Sequence, residues 1–392
     1  MYFFLAAVRR RHGLLKRAAW AWVFACCAVA ACQVQAQDVA RVASPTVAAH
    51  QAAVDHARKL ARELVVKHNL PGLSVAIGLG DDVVWAQGFG WANLEAQVPV
   101  TPLTRFRIGS VSKSLTSVAV GLLYQNGRID LDAPVQKYVP SFPEKRWPVT
   151  TRELMAHTAG IRHYEGDEFL NAKHYDGVID GLAIFENDPL LFKPGKQYHY
   201  SSYGWNLVSA VVQAAAHEKF LDFMRTRIFL PLGMRHTVPD YVKRIVPHRV
   251  AFYVHDKQGR IRNAPYVDNS YKWASGGFVS TPSDLVRFGF ALLDHDLLKP
   301  ATRDLLWKPV HLASGKSIGR GLDWVLDTDA HGRRTVGHTG GSVGGTTVFV
   351  IYPDQRMVVA VTANLSDADG LSAFAAKVAN LFAPAPNGDA RR

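Results

Sequence analysis

Beyond residue 32 the chain has no cysteine; its three, Cys26, Cys27 and Cys32, all stand near the N-terminus. A chain cut past that point holds no disulfide and no thiol nucleophile, which excludes cysteine-hydrolase chemistry. No His-x-His pair and no HExxH occurs. A metal hydrolase therefore lacks a ligand set, and no metal or other cofactor is expected. Internal repeats and low-complexity tracts are missing too. A long apolar run is also missing: AAWAWVFACCAVAA, near the start, has 14 residues, against about 20 for a membrane span. Acids are absent from the first 36 residues, which hold Arg9, Arg10, Arg11, Lys16 and Arg17. The net charge of +12 is thus partly a property of the N-terminus. The other basic residues are scattered and no nucleic-acid motif accompanies them, so no nucleic-acid partner is expected.

A basic stretch followed by a short apolar run reads as a leader over residues 1–36, a signal peptide or a lipoprotein leader. Val34-Gln35-Ala36 offers one cleavage site. Val29-Ala30-Ala31-Cys32 resembles a bacterial lipobox, which would leave a lipid anchor on Cys32; an uncleaved signal anchor is the third reading. The expected location is the periplasm, the exterior, or a membrane surface as a lipoprotein.

From residue 46 the patterning is that of one large domain, 46–385, before a tail at 386–392. Residues 46–69 have helical spacing, stopped by Pro71-Gly72. LSVAIGL and VVWAQGFG read as a hairpin. Ser110 to Asn126 reads as a buried helix ended by Gly127. The signals to about residue 250 are mostly helical, broken by Pro-rich turns such as VPSFPEKRWP and LFKPGKQ. RVAFYVHD with IRNAP suggests another hairpin, Thr281-Pro282-Ser283-Asp284 a helix start, TTVFVIYP with RMVVAVTAN a strand pair, and LSAFAAKVANLF a closing helix. Strands at both ends and helices between predict an α+β fold. One antiparallel sheet, flanked by N- and C-terminal helices, is built from about 46–109 and 251–385, with a mainly helical subdomain at about 110–250 inserted.

Residues 337–345, GHTGGSVGG, contain two overlapping patterns. Gly340-x-Ser342-x-Gly344 matches the esterase elbow, in which a serine sits between a strand and a helix and a histidine follows later in the chain. Here Thr- and Val-rich strand sequence follows Ser342, and no histidine follows His338. Both requirements fail, which leaves Ser342 as strand packing. The better nucleophile is Ser110, in the chain's only Ser-x-x-Lys, Ser110 to Lys113. Chance supplies such a pattern about once in a chain of this length; its place at the head of an apolar helix is what strengthens it. Residues three apart share a helix face. A lysine in the first helical turn, near the positive end of the dipole and out of water, has a lowered pKa and can take a serine proton. Tyr200, in YHYSSYGWNLV, is a candidate third group, and Ser202 could cap the helix that follows.

With these pieces placed, the chain resembles the serine β-lactamase-like and penicillin-binding superfamily of class C β-lactamases, DD-peptidases and related esterases. The resemblance rests on PGLSVAIGLGDDVVWAQGFG, RFRIGSVSKSLTS, LMAHTAGI, PLGM and SGGFVSTPSDLVRF, and spans about residues 46–382. GIRHY, FKPG and PYVDNSYKWASGGF are most similar to its mitochondrial serine β-lactamase-like branch. The resemblance implies a serine hydrolase, foremost a peptidase, with Ser110 acylated, Lys113 as general base and Tyr200 as proton shuttle. Ser202 takes the place of an asparagine. His338-Thr339-Gly340 stands where Lys-Thr-Gly stands, and the N–H groups of Ser110 and Gly341 would form the oxyanion hole. Tyr164, in GIRHYEG, is a second-tier candidate. Implied partners are a small peptide, ester or β-lactam-like substrate and a homo-oligomer or filament. Esterase, weak β-lactamase and non-catalytic penicillin-binding roles are the alternatives. Ser202 offers no amide, and His338 replaces a fixed cation by a group that titrates near neutrality. His338 would hold a substrate carboxylate when protonated, or hydrogen-bond on the strand when neutral.

Overall fold

The computed structural model describes residues 50–294 and 297–383. The leader at 1–36 with Cys32, and the tail at 386–392, lie outside these residues.

Helix α1 (Gln51–Lys67) buries Val54, Ala57, Ala61 and Leu64, a stripe at three- and four-residue spacing. It ends at His68, and Asn69 turns the chain in the left-handed region, so the stop precedes Pro71-Gly72. Strands β1 (Gly72–Leu79) and β2 (Asp82–Asn93) form the expected hairpin, and β3 (Val98–Pro99) pairs on its outer edge. After helices α2 (Val111–Gln125), α3 (Ser202–Ala216) and α4 (Pro282–Asp294) the chain returns to the sheet. It adds β4 (Val325–Thr328), β5 (Arg334–Ser342), β6 (Gly345–Tyr352) and β7 (Met357–Ala363), then closes with helix α5 (Leu371–Phe382).

The seven strands run in the order β3-β2-β1-β7-β6-β5-β4, each antiparallel to its neighbours. The two ends of the chain meet at the β1–β7 seam, from Leu73 opposite Ala363 to Leu79 opposite Met357. Alternation along the strands sends side chains to two faces. Leu73, Val75, Ile77, Val359 and Val361 pack with the apolar sides of α1 and α5. Ala76, Phe349, Val358 and Ala360 face the larger core that holds α2, α3 and α4. This is the expected α+β arrangement. Thr281 caps α4, its Oγ1 accepting from the Asp284 N–H at 3.2 Å.

The stretch 127–201 departs from its mostly helical expectation. Its only α-helix among the described residues is Thr151–Met155, with short 3₁₀ turns at Val135–Lys137, Glu168–Leu170 and Asp180–Ile184. Prolines at 134, 140, 143, 148, 189 and 194 break up both ends of the stretch, while the proline-free 149–188 holds one short helix and two 3₁₀ turns. Phe142, Tyr175, Leu182 and Phe185 instead enter the core singly, from loops and short turns. No helix among the described residues is long and apolar enough to cross a membrane.

Candidate active site

Helix α2 is buried on almost every side: Val111, Leu115, Val118, Val120 and Leu123 are at most 2 % exposed, each worth roughly 1.5–3 kcal/mol. That burial anchors the N-terminus of α2, where Ser110 occupies the cap position but makes no side-chain cap bond. Its Oγ instead accepts from Lys113 Nζ at 3.0 Å and from the Tyr200 hydroxyl at 2.7 Å. Lys113 is fully buried. Its ammonium also donates to Ser202 Oγ at 3.2 Å and to the Ser275 carbonyl at 2.7 Å. Burial lowers its pKa to about 7; the nearby Asp323 carboxylate opposes the shift and Arg320 adds to it. Burial pushes the Tyr200 phenol the other way, upward, reinforced by Asp323. Near neutrality the amine can therefore lose its proton and the phenol cannot. Of the two neighbours of Ser110, Lys113 can act as a base and Tyr200 as a proton donor.

Two neutral histidines hold the start of α3. The cap of α3 is Ser201, whose Oγ accepts from the Gly204 N–H at 3.0 Å. The expectation that Ser202 caps is thereby corrected: Ser202 lies one residue inside, and its hydroxyl turns to Lys113. His157 Nδ1 accepts from the Ser201 N–H and His163 Nδ1 from the Ser202 N–H, both at 3.1 Å. Burial holds His157 well below its ordinary pKa and lowers His163 to about 4. Acceptor nitrogens at a helix N-terminus favour the neutral ring. His157 also lies against Tyr200, with ring centroids 4.3 Å apart.

The facing wall is β5. Its neighbour β4 pairs only with residues 334–337, so 338–342 form an open edge. That edge runs backbone against backbone with Ile108–Ser110. A Cβ on Gly340 would lie 2.0 Å from the Ile108 carbonyl oxygen, and one on Gly109 2.5 Å from the Gly341 oxygen; only glycine permits the approach. The Ser110 N–H has no partner among the described residues. Thr339 and Gly341 are exposed on this edge. Ser342 points inward, and β5 turns directly into β6, so no strand-to-helix elbow forms.

His338 alternates inward and is 5 % exposed. Its Nδ1 meets the Thr339 carbonyl, while Nε2 lies 3.4 Å from Asp323 Oδ1 and 3.5 Å from Arg320 Nη1. The ring stands behind Tyr200, centroids 6.4 Å apart, and it does not line the cleft. Asp323 escaped the sequence reading. It is fully buried and sits at φ +87°, where a non-glycine residue is strained. One of its oxygens accepts from Ser114 Oγ at 2.9 Å, one residue after Lys113.

These groups open onto a cleft of about 300 Å³ lined by Ser110, Tyr200, Ser202, Tyr164, Lys272 and Gly341, among others. The structure thus brings together Ser110, Lys113, Tyr200, Ser202 and Gly341, and adds Tyr164, whose pKa burial raises and whose phenol sits beside Ser202 and Ser275. Lys272, within PYVDNSYKWASGGF, also lines the cleft, a role the sequence does not signal. A lone lysine in an aromatic run carries no spacing signal.

A family model described as Beta-lactamase matches residues 57–382. The mitochondrial serine beta-lactamase-like protein LACTB of Bos taurus is 33% identical, over 84% of this chain and 79% of its own. Penicillin-binding protein 4* of Bacillus subtilis is 29% identical, over 79% and 71%. Among solved structures, the octameric penicillin-binding protein homologue from Pyrococcus abyssi superposes with a TM-score of 0.71 at 26% identity, covering 84% of this chain and 76% of that one.

Proposed function

Since the chain belongs to the beta-lactamase family, we propose that it is a serine hydrolase working through an acyl-enzyme on Ser110, foremost as a peptidase. The observation that carries this reading is the double engagement of a non-capping Ser110 Oγ by Lys113 and Tyr200. Lys113, as the neutral amine, takes the Ser110 proton while Oγ bonds to the substrate carbonyl carbon. The carbonyl electrons move onto oxygen, held by the Ser110 and Gly341 N–H groups, each such donor being worth roughly 3–4 kcal/mol. Collapse breaks the bond to the leaving group, which takes a proton from Tyr200, and the Lys113 ammonium restores it. Water then releases the acyl group by the reverse proton route. Thr339 lies along the substrate on the open edge of β5. His338, behind it, supports Tyr200 rather than touching substrate. Tyr164 and Ser202 form the inner wall.

Labelling by a fluorophosphonate or a fluorescent penicillin tests this. Wild type should label and Ser110→Ala should not; undiminished labelling of the variant would overturn the assignment. Rates on p-nitrophenyl esters, nitrocefin and short L- and D-peptides then separate peptidase from esterase and weak β-lactamase. An unlabelled wild type that elutes as a large assembly on size exclusion would favour a non-catalytic polymer, a homo-oligomer being the expected partner in either case.

A further inference from the structure

Asn206 lies one turn along α3 from Ser202, on the same helix face. It is 2 % exposed, and its side chain makes one hydrogen bond among the described residues: Oδ1 accepts from Ser275 Oγ at 2.7 Å. Its Nδ2 is buried with no partner among the described residues, and an unmet buried donor is a cost to folding. A leucine would fill the position without that cost, so stability does not account for an asparagine here. Its one bond leads instead to the lysine niche. Ser275, also buried, stands in the short helix Trp273–Gly276, and its carbonyl accepts from Lys113 Nζ at 2.7 Å. That helix is one turn long and runs into Gly277, so its own backbone restrains the carbonyl little. The other acceptor within reach of Ser275 Oγ is the Lys272 carbonyl, at a long 3.4 Å.

A tether there matters because of what the base must do. As an ammonium Lys113 has three donors; as the neutral amine it keeps two and gains a lone pair. Its partners are Ser110 Oγ at 3.0 Å, Ser202 Oγ at 3.2 Å and the Ser275 carbonyl. When the last two each take an N–H, the lone pair is left facing Ser110 Oγ, as proton transfer requires. The Ser202 hydroxyl can donate as well as accept, whereas a carbonyl only accepts, so the Ser275 carbonyl is what fixes the direction. Resting on the acyl-enzyme reading above, we infer that Asn206 is a positioning residue for the general base: through Ser275 Oγ it holds the carbonyl that aims the Lys113 lone pair at Ser110. It thereby supplies indirectly, one turn further along α3, the amide that Ser202 does not offer.

The rate of fluorophosphonate labelling of Ser110, measured against pH in the full chain, tests this. Asn206→Leu and Ser275→Ala should each slow labelling by about tenfold or more, toward the order of 10²-fold that a misplaced catalytic group costs. The loss should persist above about pH 7, where the amine is neutral, because direction and not protonation is what is lost. The double variant should be no slower than the slower single one, since both act through one bond. Asn206→Asp keeps an oxygen for Ser275 and should restore most of the rate at high pH, while Asn206→Leu should melt no lower than wild type. Wild-type rates in Asn206→Leu or Ser275→Ala, or losses that multiply in the double variant, would overturn the inference and leave the acyl-enzyme reading standing. So would a slow Asn206→Leu that melts below wild type and is matched by an equally slow, folded Asn206→Asp, which would mark Asn206 as packing. A wild type that does not label would overturn the acyl-enzyme reading and this inference with it.

Discussion

Two buried lysines stand at one cleft, Lys272 in its wall and Lys113 behind Ser110 and Ser202, and burial lowers both to about the same pKa, near 7. Their surroundings differ in kind. Lys113 stands in a polar niche, with all three donors placed and a serine at 3.0 Å. Lys272 stands in an aromatic niche, with rings and no acceptor among the described residues. A shifted pKa marks a group as poised; the atoms within hydrogen-bond reach decide for what. One niche suits moving a proton; the other surrounds its ammonium with ring faces alone. The largest expected effect is therefore at Lys113. Lys113→Met should lower the second-order rate of fluorophosphonate labelling by roughly 10²–10⁴-fold, the usual worth of a general base. A loss under about tenfold would break the contrast, since the polar niche would then do no more than the aromatic one.

A smaller effect sharpens the same contrast through pH. The neutral amine of Lys113 is the reactive form, so kcat/KM should rise as pH climbs through about 7 and then level. Asp323 holds that value up by favouring the ammonium. Asp323→Asn removes the negative charge, and the midpoint of the profile should move to lower pH. A midpoint that stays or rises would show that Asp323 acts only on His338 and Ser114. The φ of +87° at Asp323 makes this carboxylate costly to hold, which is a reason to test it.

The polar niche was largely legible in the sequence and the aromatic one was not. Ser110 and Lys113 are three residues apart on one helix, so local geometry alone makes them neighbours. Gly340 announces a close backbone approach, though not its target, whereas a Cβ on Gly341 would meet only open space. Tyr200 was findable only beside those two. Lys272, Asp323 and His163 gain their roles from segments near 160, 200, 270 and 320 that meet only in the folded chain, and no periodicity records such a meeting. The same holds for 127–201. Its apolar residues suggest helices between Pro-rich turns, but even the proline-free 149–188 is mostly loops that insert single side chains. Ser201 and Ser202 show the limit at finest grain: either hydroxyl suits a cap, and the two histidines accepting at 3.1 Å settle which residue turns toward Lys113.

The smallest expected effect is on stability, and its sign follows from the aromatic niche. Taking an ammonium out of water costs several kcal/mol, and ring contacts return about 0.5–2 kcal/mol each, least at the longer distances. Only Phe169 is close, at 4.4 Å. Methionine fills nearly the same volume without charge, so Lys272→Met should raise Tm at pH 6 by about 1–3 °C. The folded-state pKa of Lys272, about 7, lies below the unfolded value of about 10.4. Between these values the unfolded chain binds more protons, so wild type gains stability as pH rises through the window and its deficit is fullest below pH 7. The advantage of the variant should accordingly shrink between pH 6 and pH 9. Lys113 contributes the same slope to both proteins and cancels in the difference. A variant that melts below wild type at pH 6, or a gap that widens with pH, would mean that an acceptor already satisfies Lys272, and the two niches would no longer differ in kind.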